Sequence, residues 1–501
     1  MSRVSRSRKG MVVAAHPIAA EAGAEVLRNG GNAADAAIAT SLTLGVVEPF
    51  ASGLGGGGYF LICPRGDAGR VEIIDGRGTV SSLLGGERTY PFGVSLPWTP
   101  KMGPLSVSVP GQGRALALMR SRHGSRLSLP ELCASAIRAA EEGFEVSKTY
   151  VRCQQVFEGT VRNSPACART FLREGRGLRI GERLRQPELA RTIRRLSEED
   201  FDALYTGEIG RAMEACVNET GPVWGAEDLR RYEPRIRAPL RASVHGDEIA
   251  TMPPPSRGGA GILAALRELE RGGLGAPPDG TAEYFVAMME IIRDTFRRLE
   301  PRIADPDHAE VRLSDLWKAA GTSHFAIADR EGTIVTASQT IGHFFGAGLV
   351  ARGVLLNDDL SDCDPSPGKP NSIQPGRRTI SNMAPTLVFR SGRPFVALGT
   401  PGSTRIFPAL AQVLARVVLQ GLRLEEAVAA PRIHWEDGIF FLEGHIDPAE
   451  REKVRALTEE RIIERGPNDL FFGGVHAIEV EEDGTVVGVA DPRRDGVSIG
   501  L

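Results

Sequence analysis

The sequence has 501 residues, and 60 Lys and Arg against 63 Asp and Glu give a formal net charge of −3. A chain so close to neutral lacks the basic surface that binding a phosphate backbone requires, which argues against nucleic acid as a partner. It contains no apolar run of about 18 residues, the length needed to cross a bilayer, so no membrane span is predicted.

The amino terminus and the cysteines give an expectation about the compartment. A basic start is followed by His16-Pro17 and a helix containing Glu21, which leaves no apolar region for a signal peptide. The six cysteines form no CxxC pair, which is typical of free thiols. The histidines show no HxxxH or HExxH spacing, so no metal and no cofactor are predicted. We therefore expect a cytoplasmic protein.

Helical periodicity and its stop signals dominate the first two thirds of the chain. Pro17 suits the first turn of a helix that Asn29-Gly30-Gly31 ends, and Asn32 can cap an alanine-rich helix over 33–44. Further helical spacing is found at 130–142, 187–197, 208–216, 258–271, 280–299, 404–420 and 423–429. From residue 322 strands dominate, and they return around 474–489. The pattern predicts a sheet structure covered by helices.

A glycine run precedes two predicted strands. Gly53-x-Gly55-x-x-Gly58 matches the dinucleotide-binding fingerprint, but that fingerprint needs a strand before the glycines and a helix after them. Here a helix comes first, and strands are predicted over 59–63 and 71–75. The glycines therefore predict a close approach of backbones inside a packed sheet.

Two predicted hairpins bring polar residues to their open ends. The first turns at Asp329-Arg330-Glu331-Gly332, which places Thr322 opposite Gln339, or opposite Thr340 if the turn carries a one-residue bulge.

The second hairpin turns between Arg390 and Arg393, which sets Ser381 opposite Gly402. A glycine turn leading into a helix near Thr404 offers backbone N–H groups to an oxyanion or a carboxylate.

Several blocks of residues resemble one family. They are Gly321-Thr322-Ser323-His324-Phe325, Gly346-x-Gly348, Leu355-Leu356-Asn357-Asp358, Ser381-Asn382-Met383-Ala384-Pro385 and Gly399-Thr400-Pro401-Gly402-Ser403-Thr404-Arg405, with His16-Pro17 to Gly58, Asp75-Gly76-Arg77 and Asp491-Pro492-Arg493-Arg494 elsewhere. In this order, and over almost the whole length, they resemble the gamma-glutamyltransferase (glutathione hydrolase) family of N-terminal nucleophile hydrolases.

The resemblance implies an α+β fold, a four-layer αββα sandwich, in a precursor that cuts itself between Gly321 and Thr322. The products would be a heavy chain, 1–321, and a light chain, 322–501, that form one interleaved structural domain. Cleavage would free an α-amino group on Thr322, which can act as base for the hydroxyl of the same residue. The implied partners are heavy and light chain, and a dimer of such heterodimers is compatible with them.

The implied reaction is cleavage of a γ-glutamyl amide, in glutathione or a related compound, through a γ-glutamyl-enzyme. The acyl group would pass to water or to an amino acid or peptide acceptor. Thr322 corresponds to the nucleophile and Thr340 to the second threonine that supports it. Gly402 and Ser403 correspond to the pair that forms the oxyanion hole.

The resemblance also implies a pocket for the glutamyl group. Arg77 corresponds to the arginine that binds the substrate α-carboxylate in a bidentate manner, a task for which lysine is a poor substitute. Ser381 and Asn382 correspond to the pair that hydrogen-bonds the same carboxylate. Asp362 corresponds to the acid that receives the α-ammonium.

The chain departs from the family pattern at three places. Ser403 stands where the family usually has glycine, which preserves the backbone N–H provided that no positive φ is required. Gly342 stands where glutathione-processing members often have an asparagine that contacts the α-ammonium, and Ser381-Asn382 replaces paired serines. Two alternatives therefore stay open: an amidohydrolase or acylase for another acyl amide, such as a glutaryl amide, and an unprocessed relative without enzymatic activity.

Overall fold

Two antiparallel sheets lie face to face at the centre of the chain, and helices cover the outer side of each. The structure is a computed structural model that describes residues 2–85, 102–272, 277–299, 304–307, 321–364 and 366–501. Apolar side chains fill the space between the sheets and the spaces beneath the helices. This arrangement is the αββα sandwich that the resemblance implied.

Sheet I and sheet II each contain seven strands among the described residues. In spatial order, sheet I consists of Val497–Gly500, Gly10–Ala14, Gly321–Asp329, Ile334–Gly342, Gly57–Cys63, Glu72–Asp75 and Arg235–Arg237. Sheet II consists of Val4–Ser7, Val486–Ala490, His476–Val480, Arg393–Gly399, Thr386–Arg390, Asp247–Thr251 and Leu240–Val244. Neighbouring strands are antiparallel in both sheets. Both sheets therefore contain strands from before and from after residue 321.

Shorter sheets decorate this core. A three-stranded sheet contains Ile433–Glu436, Ile439–Glu443 and Arg461–Arg465. Short strand pairs join Phe144–Glu145 to Arg183–Leu184, Leu172–Arg173 to Arg176–Gly177, and Val350–Ala351 to Val354–Leu355.

The helices fall into two groups, one against each sheet. Those before residue 232 are Pro17–Arg28, Ala33–Val47, Gln112–His123, Leu129–Glu142, Lys148–Val156, Glu158–Asn163, Pro165–Phe171, Pro187–Glu199, Glu208–Val217 and Asp228–Arg231. The later ones are Gly258–Arg271, Ala282–Leu299, Ile406–Leu414, Leu424–Ala429 and Pro448–Leu457. Single turns of 3₁₀ helix occur at Pro64–Gly66, Ala68–Arg70, Pro104–Ser106, Phe201–Leu204, Asp359–Asp362, Ser403–Arg405 and Leu470–Phe472, and a π-helical turn at Ala415–Leu419. None of the helices in the described ranges is long and apolar enough to span a membrane.

The predicted helix starts near the amino terminus are confirmed. Asn32 accepts a hydrogen bond from the backbone of Asp35, and the Asp35 side chain accepts one from the backbone of Asn32. This reciprocal pair satisfies two amides that the first turn leaves free. The helix that follows is almost entirely buried, because small side chains let it pack between sheet I and the outer helices.

Three strands of the two large sheets lie in a region that the sequence predicted as mainly helical. Arg235–Arg237 extends sheet I at one edge, and Leu240–Val244 with Asp247–Thr251 extends sheet II. The sequence predicted no element over 235–251, because segments of three to five residues are too short to show a clear period. Their conformation is set by the strands beside which they lie.

The glycine run of the sequence packs against backbone, as predicted. A Cβ atom on Gly55 would lie 2.2 Å from the carbonyl oxygen of Leu355, and one on Gly56 would lie 2.0 Å from that of Thr340. No side chain heavier than hydrogen fits at either distance. The run thus allows the loop 53–56 to press against the end of strand Ile334–Gly342.

We expect Gly56→Ala to lower the free energy of unfolding by about 1–3 kcal/mol or more, because the added methyl would overlap the Thr340 carbonyl. Urea denaturation followed by circular dichroism measures the change. Gly159→Ala is the matched control: its Cβ meets nothing within 4 Å and it lies in a helix, so stability should stay the same or rise by about 0.5–1 kcal/mol. Equal stability of the two variants would contradict the argument.

Candidate active site

The register of the central hairpin brings two threonines together. Its turn is a three-residue loop in which Gly332 has φ +80°. Ser323 pairs with Gln339. The register with a one-residue bulge at the turn is therefore confirmed, and the register that would place Thr322 opposite Gln339 is wrong. At the open end Gly321 pairs with Gly342. Two residues, Thr340 and Ile341, therefore lie opposite Thr322, which makes a β-bulge at this point.

The hydroxyl of Thr340 points at the peptide bond that precedes Thr322. It donates a hydrogen bond to the carbonyl oxygen of Gly321 and accepts one of 2.9 Å from the amide of Gly342. Both threonines are 2% exposed. A hydroxyl that donates to a carbonyl draws electrons from its carbon, so this carbonyl is prepared for attack by a neighbouring nucleophile.

Gly342 is fixed by a buried carboxylate. Its φ is +91°, and a Cβ atom there would lie 1.9 Å from Oδ1 of Asp358. The carboxylate of Asp358 accepts hydrogen bonds of 2.6 Å from the amide of His343 and shares one of 2.6 Å with the Nδ1 of its ring. The space that an asparagine side chain would need is therefore taken by Asp358.

Arg77 lies buried between two carboxylates. Its Nη1 is 2.7 Å from Oδ1 of Asp359, and its Nη2 donates at 2.8 Å to Oδ2 of Asp362 and at 2.9 Å to the carbonyl of Ile380. Asp359 and Asp362 stand three residues apart in a 3₁₀ turn, which puts both on one face of the turn. The resemblance assigned Arg77 to the α-carboxylate of the substrate and Asp362 to its α-ammonium. In the structure these two side chains also contact each other.

Burial dominates the electrostatics of this cluster. It raises the pKa of Asp362 to about 7, although Arg77 and Arg257 oppose the rise. It raises the pKa of Asp359 to about 6 against the pull of Arg77. A cation bound at Asp362 would favour its ionised form, so binding of an ammonium there should weaken as the pH falls below 7.

Ser381 and Asn382 lie beside this cluster. Ser381 is buried and follows Ile380, whose carbonyl binds Arg77. Its own carbonyl accepts a hydrogen bond of 2.8 Å from the amide of Arg257, and its Oγ accepts one of 3.1 Å from the amide of Met383.

The second hairpin differs from the prediction. Its turn pairs Arg390 with Arg393 as expected, but a bulge between Val388 and Phe389 shifts the register, and the pairing ends at Thr386 with Leu398. Ser381 is therefore not paired with Gly402 and bridges instead to Ser256. A single-residue shift of this kind leaves no trace in the turn sequence from which the register was counted.

Gly402 and Ser403 form the turn into a 3₁₀ helix. Gly402 has φ +140°, and Ser403 has φ +62°, a conformation that costs a non-glycine residue energy. The Oγ of Ser403 is buried and has no hydrogen-bond partner among the described residues. Upstream, Gly399 packs against the ring of His324, two residues from Thr322, so the turn lies at the same end of the sheets. Among the described residues, no hydrogen bond joins Gly402 or Ser403 to Thr322.

One chain of contacts links the two clusters. Thr340 pairs with Gly57, and a Cβ on Gly57 would lie 3.1 Å from the Cα of Arg77. The amide of Asp358, next to Asp359, donates at 3.0 Å to the carbonyl of Ile341. The threonine pair and the Arg77 cluster are thus adjacent at one end of sheet I.

Several polar residues at this end were missed by the sequence analysis. They are Asp359, Arg257, His343, Glu48 and Arg494. The spacing of Asp359 and Asp362 was a usable signal, because a three-residue interval places two acids on one face of a 3₁₀ turn. Buried charges far apart in the sequence gave no comparable signal.

A threonine buried at the start of a central strand in an αββα sandwich, after a peptide bond that a second threonine contacts, is the arrangement of an N-terminal nucleophile hydrolase. The family model described as gamma-glutamyltranspeptidase matches residues 19–320 and 317–501. The chain belongs to this family.

Relatives within the family carry different names. The Acylase ACY 1 proenzyme of Pseudomonas sp. (strain SE83) is 33% identical over 98% of this chain and 94% of its own length. The Glutathione hydrolase proenzyme of Bacillus subtilis (strain 168) is 29% identical over 100% and 92%. The crystal structure of cephalosporin acylase from Bacillus halodurans superposes with a TM-score of 0.89 at 25% identity, covering 100% of this chain and 97% of that one. These relatives share one family and are named for different reactions.

We expect Arg77→Lys to destabilise the protein by about 3–5 kcal/mol, because one ammonium cannot contact both buried carboxylates as the guanidinium does. Chemical denaturation measures the loss. Arg6→Lys, at an exposed ion pair with Glu481, is the control and should change stability by less than about 1 kcal/mol. A loss at Arg77 no larger than at Arg6 would show that the buried pairs are not needed.

Proposed function

We propose that this protein is a self-cleaving threonine amidohydrolase that acts on γ-glutamyl amides and passes the acyl group to water or to an amino acid or peptide amine. Cleavage between Gly321 and Thr322 would give a heavy chain, 1–321, and a light chain, 322–501. The observation that carries the proposal is the hydrogen bond from Thr340 to the Gly321 carbonyl, beside the buried Thr322.

Self-cleavage begins with attack of the Thr322 hydroxyl oxygen on the carbonyl carbon of Gly321. The C–N bond breaks, the nitrogen of Thr322 takes up the proton that the hydroxyl loses, and an ester joins Gly321 to Thr322. Water then hydrolyses this ester. The products are a carboxylate on Gly321 and a free hydroxyl and α-amino group on Thr322.

The same hydroxyl then attacks the amide carbonyl of the substrate. The α-amino group of Thr322 accepts the hydroxyl proton and delivers it to the leaving amine, so an acyl ester of Thr322 remains. Water or an acceptor amine releases the acyl group and restores the hydroxyl. We assign the amides of Gly402 and Ser403 to the oxyanion, because they lie in a glycine turn at the same end of the sheets.

The charged cluster next to the threonines suits the far end of a glutamyl group. Arg77, with Ser381 and Asn382 beside it, would bind the α-carboxylate. Asp362 would receive the α-ammonium, since a carboxylate accepts several hydrogen bonds and its contact with Arg77 uses only part of that capacity.

A glutaryl-type acyl amide is the second candidate. It is favoured by Gly342, where Asp358 leaves no room for a side chain that would contact an ammonium. The pairing of Asp362 with Arg77 points the same way, because it neutralises the acid that the ammonium requires.

We expect the purified protein to consist of two fragments that divide at residue 321, and Thr322→Ala to remain a single chain without amidase activity. Thr340→Val should slow cleavage about 100-fold, because the scissile carbonyl loses its donor. Gel electrophoresis with mass spectrometry of the smaller fragment gives the result. Thr206→Ala, at an exposed threonine, should cut like the wild type. An intact wild-type chain with full activity would refute the mechanism.

We expect γ-glutamyl-p-nitroanilide to be cleaved with a kcat/KM about 10- to 100-fold above that of glutaryl-p-nitroanilide, because its ammonium makes a charged hydrogen bond to Asp362. Asp362→Asn should lower kcat/KM for the first anilide by a larger factor than for the second, because only the first has the ammonium while both have the carboxylate that Arg77 would bind. Arg297→Gln, at a surface arginine stacked on Trp435, is the control for nonspecific loss. Equal or faster turnover of the glutaryl compound would favour the second candidate.

A further inference from the structure

Behind the strand that begins at Gly321 lies a buried ion pair to which the sequence assigned no role. Ser323 donates at 2.6 Å to Oε2 of Glu48. Arg494 Nη1 donates at 3.2 Å to the carbonyl of Thr322 and lies 3.4 Å from Oε1 of Glu48. Both charged side chains are 3% exposed. One ion pair thus contacts the backbone of Thr322 and the side chain of its neighbour.

Cleavage would create a new group next to this pair. Within a β-strand, the N–H and the C=O of one residue point to the same edge, since paired residues exchange both bonds. Thr322 lies in the strand Gly321–Asp329, and the extra residue of the bulge opposite it belongs to the partner strand. The amino group that cleavage leaves on Thr322 therefore lies beside the carbonyl that Arg494 contacts.

That amino group can act as a base only when it is uncharged. A free α-amino group has a pKa of about 7.7–8.0, so most of it is protonated at neutral pH. A nearby positive charge disfavours the protonated form, and a nearby negative charge favours it. The positive charge of Arg494 therefore favours the uncharged amino group that the base requires. Glu48 holds Arg494 in place, and its negative charge offsets part of this effect.

The other titratable groups around this edge include both charged and neutral ones. Asp491, beside His476, is ionised, because Arg432 and Arg493 overcome the effect of burial and lower its pKa to about 2. Asp495 acts electrostatically on Glu48 and His16. Burial lowers the pKa of His476 to about 3 and of His16 to about 4, and raises that of Cys153 to about 12. Burial also raises the pKa of Glu48, a rise that Asp495 strengthens and Arg494 and Ser323 oppose.

The opposite edge of the strand faces Ile334–Gly342, which contributes the neutral Thr340. The loop beyond that strand carries Asp358 and His343, which bind each other.

We propose that Glu48 and Arg494 are a positioning pair that holds Thr322 after cleavage, in which the charge of Arg494 keeps the amino group of Thr322 uncharged at neutral pH and Glu48 holds Arg494 in place. The inference rests on the proposed function, because it needs the amino group that self-cleavage supplies. It adds two residues that act through Thr322 and touch no substrate.

The test is the pH dependence of kcat/KM, from about pH 5 to 10, on the cleaved enzyme with whichever of the two anilides the wild type turns over. The acidic limb of this pH profile reports the pKa of the Thr322 amino group. Arg494→Gln removes a positive charge and should move the limb to higher pH by about one unit, and Glu48→Gln removes a negative charge and should move it to lower pH. Arg494→Lys keeps the charge and should keep the limb while lowering kcat. Arg416→Gln, which removes a fully buried guanidinium paired with Asp279, is the control and should cost stability without moving the limb.

Opposite shifts in the two glutamine variants are the result that a merely structural role would not produce. An acidic limb that stays at the wild-type position in both, or moves in the same direction in both, overturns the inference. If Arg494→Gln is not cleaved, Glu48→Gln and Arg494→Lys decide: an unmoved limb in Glu48→Gln overturns the inference. Failure of the proposed function differs, because it shows as a wild-type chain that is never cut.

Discussion

The register of the two central strands of sheet I is the constraint on which the site depends. A three-residue loop with Gly332 in a left-handed conformation sets the pairing, and a bulge at the other end places Thr340 beside Thr322. If the turn had no bulge, Gln339 instead of Thr340 would lie opposite Thr322. A slip of one residue exchanges the two faces of a strand, and Gln339 in fact bonds to Ser41 on the helix side. The chemistry of the site is thus fixed by the length of one turn.

Around this strand pair, buried charges fix the groups that would meet a substrate. Arg77 is held by two carboxylates, and Gly342 is held in place by Asp358. Each of these charges costs energy to bury, and each has an opposite charge or several donors beside it. The contacts of Arg77 and Gly342 are thus part of the fold itself.

Much of this architecture could be predicted from the sequence, and the exceptions have physical causes. Helices with clear periods and stops, such as Pro17–Arg28, were found nearly to the residue, and the glycine run was correctly assigned to close packing. The strands at Arg235–Arg237 and nearby were missed, because their conformation comes from neighbours in the sheet. The pairing of Ser381 with Gly402 failed at a bulge. The contact of Arg77 with Asp359 could not be foreseen, since it joins residues far apart in the chain.

Both sheets contain strands from before and from after residue 321, which has a consequence for a cleaved molecule. The strand Gly321–Asp329 has Gly10–Ala14 on one side and its own hairpin partner on the other, and that partner borders Gly57–Cys63. A nick at this point would fall at the end of one ladder, between Gly321, which pairs with Gly342, and the rest of the strand. The remaining ladders would hold the halves together without any covalent link. Once unfolded, however, they would have to find each other as separate molecules. The association of the two halves is thus specified in the uncut polypeptide. A cleaved molecule that unfolded would refold only at a rate that depends on protein concentration.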